Sequence, residues 1–426
     1  MKAIGIDIGT TSVCGVLTDA LTGDLINTKT KNSNAFLEGV AWWEKIQSVD
    51  KIINIATEIL NDLLCDDVSV IGVTGQMHGI LYYNSDGTAV SPLYTWQDGR
   101  GKLPYKDTTY AEYLNSFSGY GNVTDFYNTE NRLIPSDASG YCTIQDYFVM
   151  RLCNNKKALM HSTNAAGLGC YDLKENKFRY PCNAQVVTDY CIAGKYKNIP
   201  VSVAIGDNQA SVLSSLTDEN NVLVNVGTGS QVSIIANTPI IADNVETRPY
   251  FDGKYLAVGS ALCGGRAYSL LKDFYRNILK YNGTADDGRV YDIMTEMLKD
   301  AQPSALSVDT RFAGTRSDKS ICGSISGITP DNFTPAQLTL GVLNGMASEL
   351  YAMYKSMNVA KIGIIGSGNG IRKNSALVSV FEQTFGLKMR IPKHLEEAAV
   401  GAAMFGIVSC GIFKTINEAQ ALIKYS

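Results

Sequence analysis

Two stretches far apart in the chain share one order of apolar and polar positions. The first runs Ile4-Gly5-Ile6-Asp7-Ile8-Gly9-Thr10-Thr11-Ser12-Val13, the second Val222-Leu223-Val224-Asn225-Val226-Gly227-Thr228-Gly229-Ser230-Gln231-Val232. Each is an apolar strand, an Asp or Asn, a Gly-Thr-x-Ser turn and a second apolar run, the pattern of a hairpin closed by a glycine turn. A second pair follows in the same order. Val70-Ile71-Gly72-Val73-Thr74-Gly75 and Lys361-Ile362-Gly363-Ile364-Ile365-Gly366 both read as buried strands ending in glycine. Two such pairs in matching order predict a duplicated α/β unit.

Helical periodicity fills the intervals. Trp43 to Leu64 carries Ile46, Val49, Ile52, Ile53, Ala56, Ile59, Leu60 and Leu63, an apolar stripe at helical spacing. Thr334-Pro335 supplies a cap and a first-turn proline for a helix through Leu338, Val342, Met346, Leu350 and Tyr354. Strands alternating with helices predict an α/β fold with a central sheet in each half. The polar run Ser214 to Asn221 predicts the join, giving an N-terminal domain 1–216 and a C-terminal domain 217–426. Tyr105 to Asn131, polar and aromatic without clear periodicity, is expected to form loops or a small insertion.

Composition narrows the function. With 45% apolar and 18% charged residues the chain has the balance of a globular protein. Its 37 basic and 41 acidic residues leave a net charge of −4, which argues against nucleic acid or an anionic membrane as partner. Ten cysteines without CxxC spacing and only three histidines argue against a metal cluster or a disulfide framework, and favour a reducing cytoplasm. The opening residues contain no apolar signal core, and the uncharged stretch Ala398 to Phe413 is interrupted by glycine and shorter than a bilayer span. No membrane partner is expected.

Glycine turns bind phosphate through backbone N–H groups that no Cβ shields. Two Gly-Thr-x-Ser hairpins are therefore expected to hold a polyphosphate, with Asp7 facing it and holding a hydrated Mg²⁺. Here the chain resembles the FGGY family of carbohydrate kinases. Asp7 to Ser12 matches the family's first phosphate motif and Asn225 to Ser230 its second. Gly366-Ser367-Gly368-Asn369-Gly370 resembles the adenosine motif, Gly264-Gly265 another segment lining the nucleotide pocket, and Glu396 to Ala403 the closing helix. The likeness spans essentially the whole chain. It implies two duplicated ribonuclease H-like (actin-like ATPase) domains with an inter-domain cleft. It also implies ATP and Mg²⁺ as cofactors, with Gly9, Thr10, Thr11, Gly227, Thr228, Gly264, Gly265, Gly366, Ser367, Gly368 and Asn369 at the nucleotide. Asp7 and Asp207 would stand at the metal. Many members are dimers, so the resemblance extends to a homodimer.

The same resemblance assigns the sugar side. Gly75-Gln76-Met77-His78-Gly79 and Thr95-Trp96-Gln97-Asp98-Gly99-Arg100 match sugar-pocket runs, so Gln76, Met77, His78, Trp96 and Asp98 are expected at the substrate. An indole covers the C–H face of a sugar, while carboxylate and imidazole groups pair with hydroxyls. Ile205-Gly206-Asp207-Asn208-Gln209-Ala210 resembles the family's Gly-Asp-x-x-Ala signature. It makes Asp207 the expected catalytic base and Asn208 a sugar ligand, at a position where an Asp also serves as a helix cap. One departure stands out: many relatives carry Lys or Arg where this chain has Cys14.

Several stretches, Thr95 to Arg100, Asn164 to Gly167, Asp331 to Ala336 and Leu343 to Tyr351, are more similar to the sedoheptulokinase branch than to the xylulokinase branch. The expected reaction is phosphorylation of the terminal hydroxyl of sedoheptulose. The alternatives are another ketose or polyol such as xylulose and, more remotely, an ATP-binding sugar sensor of weak activity.

Overall fold

The computed structural model describes residues 1–426 except Val40, Asn282, 284–287 and Ser317. The chain forms two compact units. One comprises Met1–Thr217, Arg248–Lys254 and Glu396–Ile423, and the other Asp218–Thr247, Tyr255–Leu395 and Lys424–Ser426.

In the first unit, β1 (Lys2–Ile8) and β2 (Ser12–Asp19) form the predicted hairpin, with Asp7 opposite Cys14 and Ile8 opposite Val13. β3 (Leu25–Asn32) extends it antiparallel, and β4 (Val68–Gly75) lies parallel to β1 on its other side. Ile199–Ser202, Ile192–Tyr196 and the short strand Ile205–Gly206 complete a seven-stranded sheet. Alternation along β1 sends Ile4, Ile6 and Ile8 into the main core beside α1 (Val49–Leu63), and Ala3 and Gly5 to the other face.

α1 starts later than the apolar stripe suggests. Ser48 caps it by accepting the Lys51 N–H at 3.4 Å, and Ile46–Gln47 ahead of it pair as a strand with Leu93–Tyr94. The far face of the sheet is covered by the helix Glu397–Ser409, which is buried nearly all round. A Cβ on Gly72 would stand 1.8 Å from Ala402 O, so only glycine lets this helix lie so close. Sequence order assigned the helix to residues 217–426, but a helix apolar on every side needs a sheet beneath it and neighbours around it. It finds them in β1, β4 and α2 (Asp207–Ser215).

The Tyr105 to Asn131 region is more ordered than its sequence suggests. It holds the helices Tyr110–Tyr113 and Gly121–Glu130, the first fixed by a capping box between Thr109 and Glu112. Packing of Tyr105, Tyr110, Tyr113 and Phe126 on one another replaces the missing apolar stripe.

The second unit repeats the topology. β5 (Asn221–Val226) pairs antiparallel with β6 (Ser230–Ala236), which pairs with β7 (Tyr255–Ala261). After α3 (Gly264–Tyr281) and α4 (Pro335–Ser356), β8 (Gly363–Ser367) runs parallel to β5, as β4 does to β1. Val245–Pro249 and Met389–Arg390 form the edges of this six-stranded sheet. Thr334 caps α4 by accepting the Gln337 N–H at 3.3 Å, and Val342, Met346 and Leu350 enter the core with Val224 and Ile364. Among the described residues no helix is long and apolar enough to cross a membrane, and the ten cysteines are free.

Candidate active site

Strand pairing gathers the first-unit candidates at one end of the sheet. Asp7 lies opposite Thr74 of β4, Gln76 follows β4, and Ile205–Gly206 pairs with Thr74 and Gly75 immediately before Asp207. Asp7 Oδ1 is shut off from solvent and has no hydrogen-bond partner. Burial, reinforced by the negative charges of Asp207 and Glu396, raises the Asp7 pKa to about 7. Asp207 is the first residue of α2, following the cap position Gly206. Burial raises its pKa to about 6, against the pull of the Arg248 guanidinium and of the N–H groups of Asn208 and Asp207 itself.

Arg248, which the sequence reading missed, is 5% exposed. Its Nη1 donates to Met77 Sδ at 3.9 Å, and the next residue is anchored where Gln209 Nε2 of α2 donates to Pro249 O at 3.1 Å. The only sequence signal was an arginine ahead of an apolar Tyr250-Phe251 pair, which carries no chemistry by itself. Glu396, named earlier only as part of the closing helix, adds a third carboxylate to this region. Cys14 sits opposite Asp7, 5% exposed, with its thiol pushed up to about 12 chiefly by burial. It stays neutral, and the positive charge acting on Asp207 comes from Arg248.

An orphaned carboxylate oxygen beside a second carboxylate suits Mg²⁺, which takes one or two carboxylates and keeps several waters. Among the described residues no group of three or more His, Cys, Asp or Glu is placed to enclose a metal unaided.

Gln76 and Met77 are 3% and 4% exposed. His78 has φ 77°, a left-handed conformation that costs a non-glycine residue strain. Its ring lies flat on Tyr120 with centroids 4.2 Å apart, and Nδ1 is 2.6 Å from Gly167 O. Trp96 is 46% exposed and donates from Nε1 to Thr10 Oγ1 at 3.0 Å. Asn208 follows Asp207 in the first turn of α2. Asp98 departs from this company. At 1% exposure, its Oδ1 accepts from Arg100 N and Nε at 3.1 and 2.7 Å, and its Oδ2 from Lys45 N and Arg100 Nη2 at 3.1 and 3.3 Å. Both carboxylate oxygens thus accept hydrogen bonds from within the fold.

In the second unit the nucleotide candidates converge on one turn. Gly227 N donates to Gly229 O at 2.9 Å, and the start of α3 docks on that turn, Gly265 N to Gly227 O at 2.9 Å and Arg266 N to Thr228 O at 3.0 Å. A Cβ on Gly264 or Gly265 would lie 2.5 Å from Gly229 C or 2.4 Å from Gly227 O, so both must be glycine. Ser367 ends β8 beside Asn225, whose Nδ2 donates to its Oγ at 2.8 Å. Gly368 turns away with φ 82°, its Cα against Val226, and Asn369 follows in the short helix Gly368–Arg372. In the first unit Gly9, Thr10 and Thr11 form the turn between β1 and β2, where Thr11 O accepts from Ser33 N at 2.8 Å.

Residues 2–188 match the model of the FGGY family of carbohydrate kinases, N-terminal domain, and residues 222–410 that of the C-terminal domain. The chain is 26% identical to the sedoheptulokinases of Mus musculus and Homo sapiens, each match covering 94% of this chain and 96% of the relative. It is 23% identical to a xylulose kinase of Staphylococcus xylosus, over 99% of this chain and 94% of that protein. The fold is that of solved carbohydrate kinases. A ligand-bound xylulose kinase from Lactobacillus acidophilus superposes with TM-score 0.84 at 18% identity, covering 100% of this chain and 92% of that one. Plasmodium falciparum glycerol kinase with ADP gives 0.76 at 16%, covering 99% and 92%. The duplicated hairpins, the paired carboxylates and the glycine turns thus have their source: the chain belongs to the FGGY family of carbohydrate kinases.

Proposed function

We propose that this sugar phosphotransferase moves the γ-phosphoryl group of ATP to the terminal hydroxyl of a ketose, with sedoheptulose as acceptor and sedoheptulose 7-phosphate as product. The observation that carries the reaction is Asp207, a half-buried carboxylate at the start of α2 beside the Arg248 charge. Asp207 takes the hydroxyl proton as the oxygen attacks, and Arg248 and the helix N-terminus hold the carboxylate ready to receive it. Asn208, His78, Gln76 and the Met77 backbone orient the sugar, and the exposed face of Trp96 covers its C–H surface. Asp98 acts from behind, keeping the Trp96 loop in shape.

On this reading the first unit, with Arg248–Lys254 and Glu396–Ile423, binds sugar and supplies the first phosphate turn, and the second unit holds the nucleotide. Thr228 and Gly264 present backbone N–H groups to the phosphates, Gly227 and Gly265 supply the close packing that lets the phosphates approach, and Gly366 to Asn369 lie against the adenosine. Mg²⁺, held by Asp7 and Asp207 through water, would offset charge on the phosphoryl group in flight. Free cysteines fit a reducing cytoplasm.

Support for the seven-carbon sugar comes from the mouse and human sedoheptulokinases, and the xylulose kinase relative makes xylulose the competing acceptor. The test is ADP release with Mg·ATP against sedoheptulose, xylulose, ribulose, fructose and glycerol, with Asp207→Ala as control. Highest kcat/KM on sedoheptulose, abolished by the substitution, supports the reading. Preference for xylulose moves the acceptor, and turnover that survives Asp207→Ala removes the base.

A further inference from the structure

Gln47 closes a ring of hydrogen bonds that joins the first phosphate turn to the end of the sugar-binding strand. Its Nε2 donates to Thr10 O at 2.6 Å, while Gln76 Nε2 donates to Gln47 Oε1 at 3.0 Å. Thr10 Oγ1 completes the ring by donating to Gln76 Oε1 at 3.3 Å. Trp96 Nε1 feeds in from outside, donating to the same Thr10 hydroxyl at 3.0 Å.

The sense of donation is the same all the way round: indole to hydroxyl, hydroxyl to Gln76, Gln76 to Gln47, Gln47 to the Thr10 carbonyl. Turning either amide by 180° would set donor against donor or acceptor against acceptor, so each amide fixes the other. Gln47 is fully buried and Gln76 nearly so, which leaves neither amide a solvent alternative. The backbone supports the placement. Ile46–Gln47 pairs with Leu93–Tyr94, and Lys45 O on the same segment accepts from Thr95 N and Oγ1 at 3.0 and 2.8 Å. One segment therefore touches the phosphate turn, the end of β4 and the Trp96 loop.

The ring also limits Thr10. Its hydroxyl proton goes to Gln76, so it meets a phosphate with its backbone N–H and not its side chain. The indole that faces the sugar is bonded to that same residue.

We propose that Gln47 is a positioning residue that couples the first phosphate turn to the sugar-binding residues, so that each ligand improves binding of the other through the ring Thr10–Gln76–Gln47. The proposal rests on the kinase reading above. Gln47 touches neither ligand and acts through Gln76 and Thr10.

The test compares wild type with Gln47→Met, close in shape but unable to donate or accept. Kinetics with sedoheptulose and Mg·ATP are run on the full chain, and each KM is measured over a range of the other substrate. In wild type, saturating sugar should lower the KM for ATP several-fold, and the converse. In Gln47→Met this mutual effect should vanish and kcat/KM for both substrates should fall about tenfold, with the melting curve still cooperative. Gln76→Met gives the second arm: if Gln47 acts through Gln76, adding Gln47→Met to it changes kcat/KM by less than twofold. Independent, multiplying effects in the double variant overturn the proposal. So does a Gln47→Met enzyme that keeps the mutual effect. If Gln47→Met melts without a cooperative transition, Gln47→Glu replaces it, since a carboxylate still accepts from Gln76 but cannot donate to Thr10 O, and the same two outcomes decide. A wild type without turnover on any sugar fails the kinase reading itself, a result distinct from either outcome for Gln47.

Discussion

Arg100 Nε lies 2.7 Å from Asp98 Oδ1, with the two side chains 2% and 0% exposed. The guanidinium also donates to Asn128 Oδ1 at 2.5 Å and sits 4.2 Å above the Tyr94 ring. A buried, hydrogen-bonded pair is costly to break, because removing one partner strands the other charge, at about 3–5 kcal/mol. Asp98→Ala and Arg100→Met should each lower the free energy of unfolding by roughly that amount, read from urea midpoints. A sugar ligand would behave otherwise: Asp98→Ala would raise the KM for sugar and leave the midpoint unchanged.

Arg248 makes the opposite prediction. Its charge acts on Asp207 and its Nη1 reaches Met77 Sδ, so its loss should show in turnover. Arg248→Met, similar in length and apolar, should lower kcat by about tenfold or more, a share of what a base contributes. Arg248→Lys should recover part of it. Steady-state kinetics of both variants check this, and equal kcat in wild type and Arg248→Met would remove Arg248 from the site.

What the sequence made legible was local. The Gly-Thr-x-Ser hairpins, the Thr334-Pro335 helix start and the helix at Asp207 depend on neighbours within a few residues, and all stand where their patterns put them. What it hid depended on partners far along the chain. Arg248 meets Met77 across 171 residues, and Gln47 meets Thr10 across 37. Nothing near Gln47 distinguishes it from an ordinary polar residue. The partners of Asp98 were hidden for a related reason. Its motif looked like a substrate loop, but Arg100 two residues on and the backbone of Lys45 turn it inward. The extra residues of the α1 stripe, Trp43 to Gln47, were apolar enough for a helix, and strand pairing with Leu93–Tyr94 overrode that preference.

Gly265 offers a test of the nucleotide side that leaves charge untouched. A methyl group there would stand 2.4 Å from Gly227 O, and Gly265 N already donates to that oxygen at 2.9 Å. Gly265→Ala must push α3 off the Gly227–Gly229 turn. Overpacking of this kind costs roughly 1–3 kcal/mol. The KM for ATP should rise about tenfold while the KM for sugar changes little, a split that kinetics with each substrate varied will show. An alanine enzyme with unchanged KM for ATP would mean the turn does not meet the nucleotide.

His161 sets a pH dependence in the first unit. Fully buried between the rings of Phe251 and Phe405, it uses Nδ1 to accept the Thr163 N–H at 3.2 Å, which requires a neutral ring. Burial lowers its pKa from 6.5 to about 4. The unfolded chain therefore takes up the proton first, so stability from this group is complete above pH 6.5 and is lost as pH falls towards 4. The loss amounts to roughly 3 kcal/mol, since each pKa unit is worth about 1.4 kcal/mol. Asp7 and Asp146, both raised to about 7, act in the other direction, favouring the folded state at low pH and losing that advantage as pH rises from 3.8 towards 7. His161→Asn separates the two effects, because Asn Oδ1 still accepts from Thr163 N and does not titrate. The carboxylates remain in both proteins and cancel in the difference. Urea unfolding of wild type and variant at intervals from pH 7 to 4 should show the variant gaining on wild type as pH falls, by one proton's slope. A constant difference across that range would mean that His161 takes up its proton at the same pH in the folded and the unfolded chain.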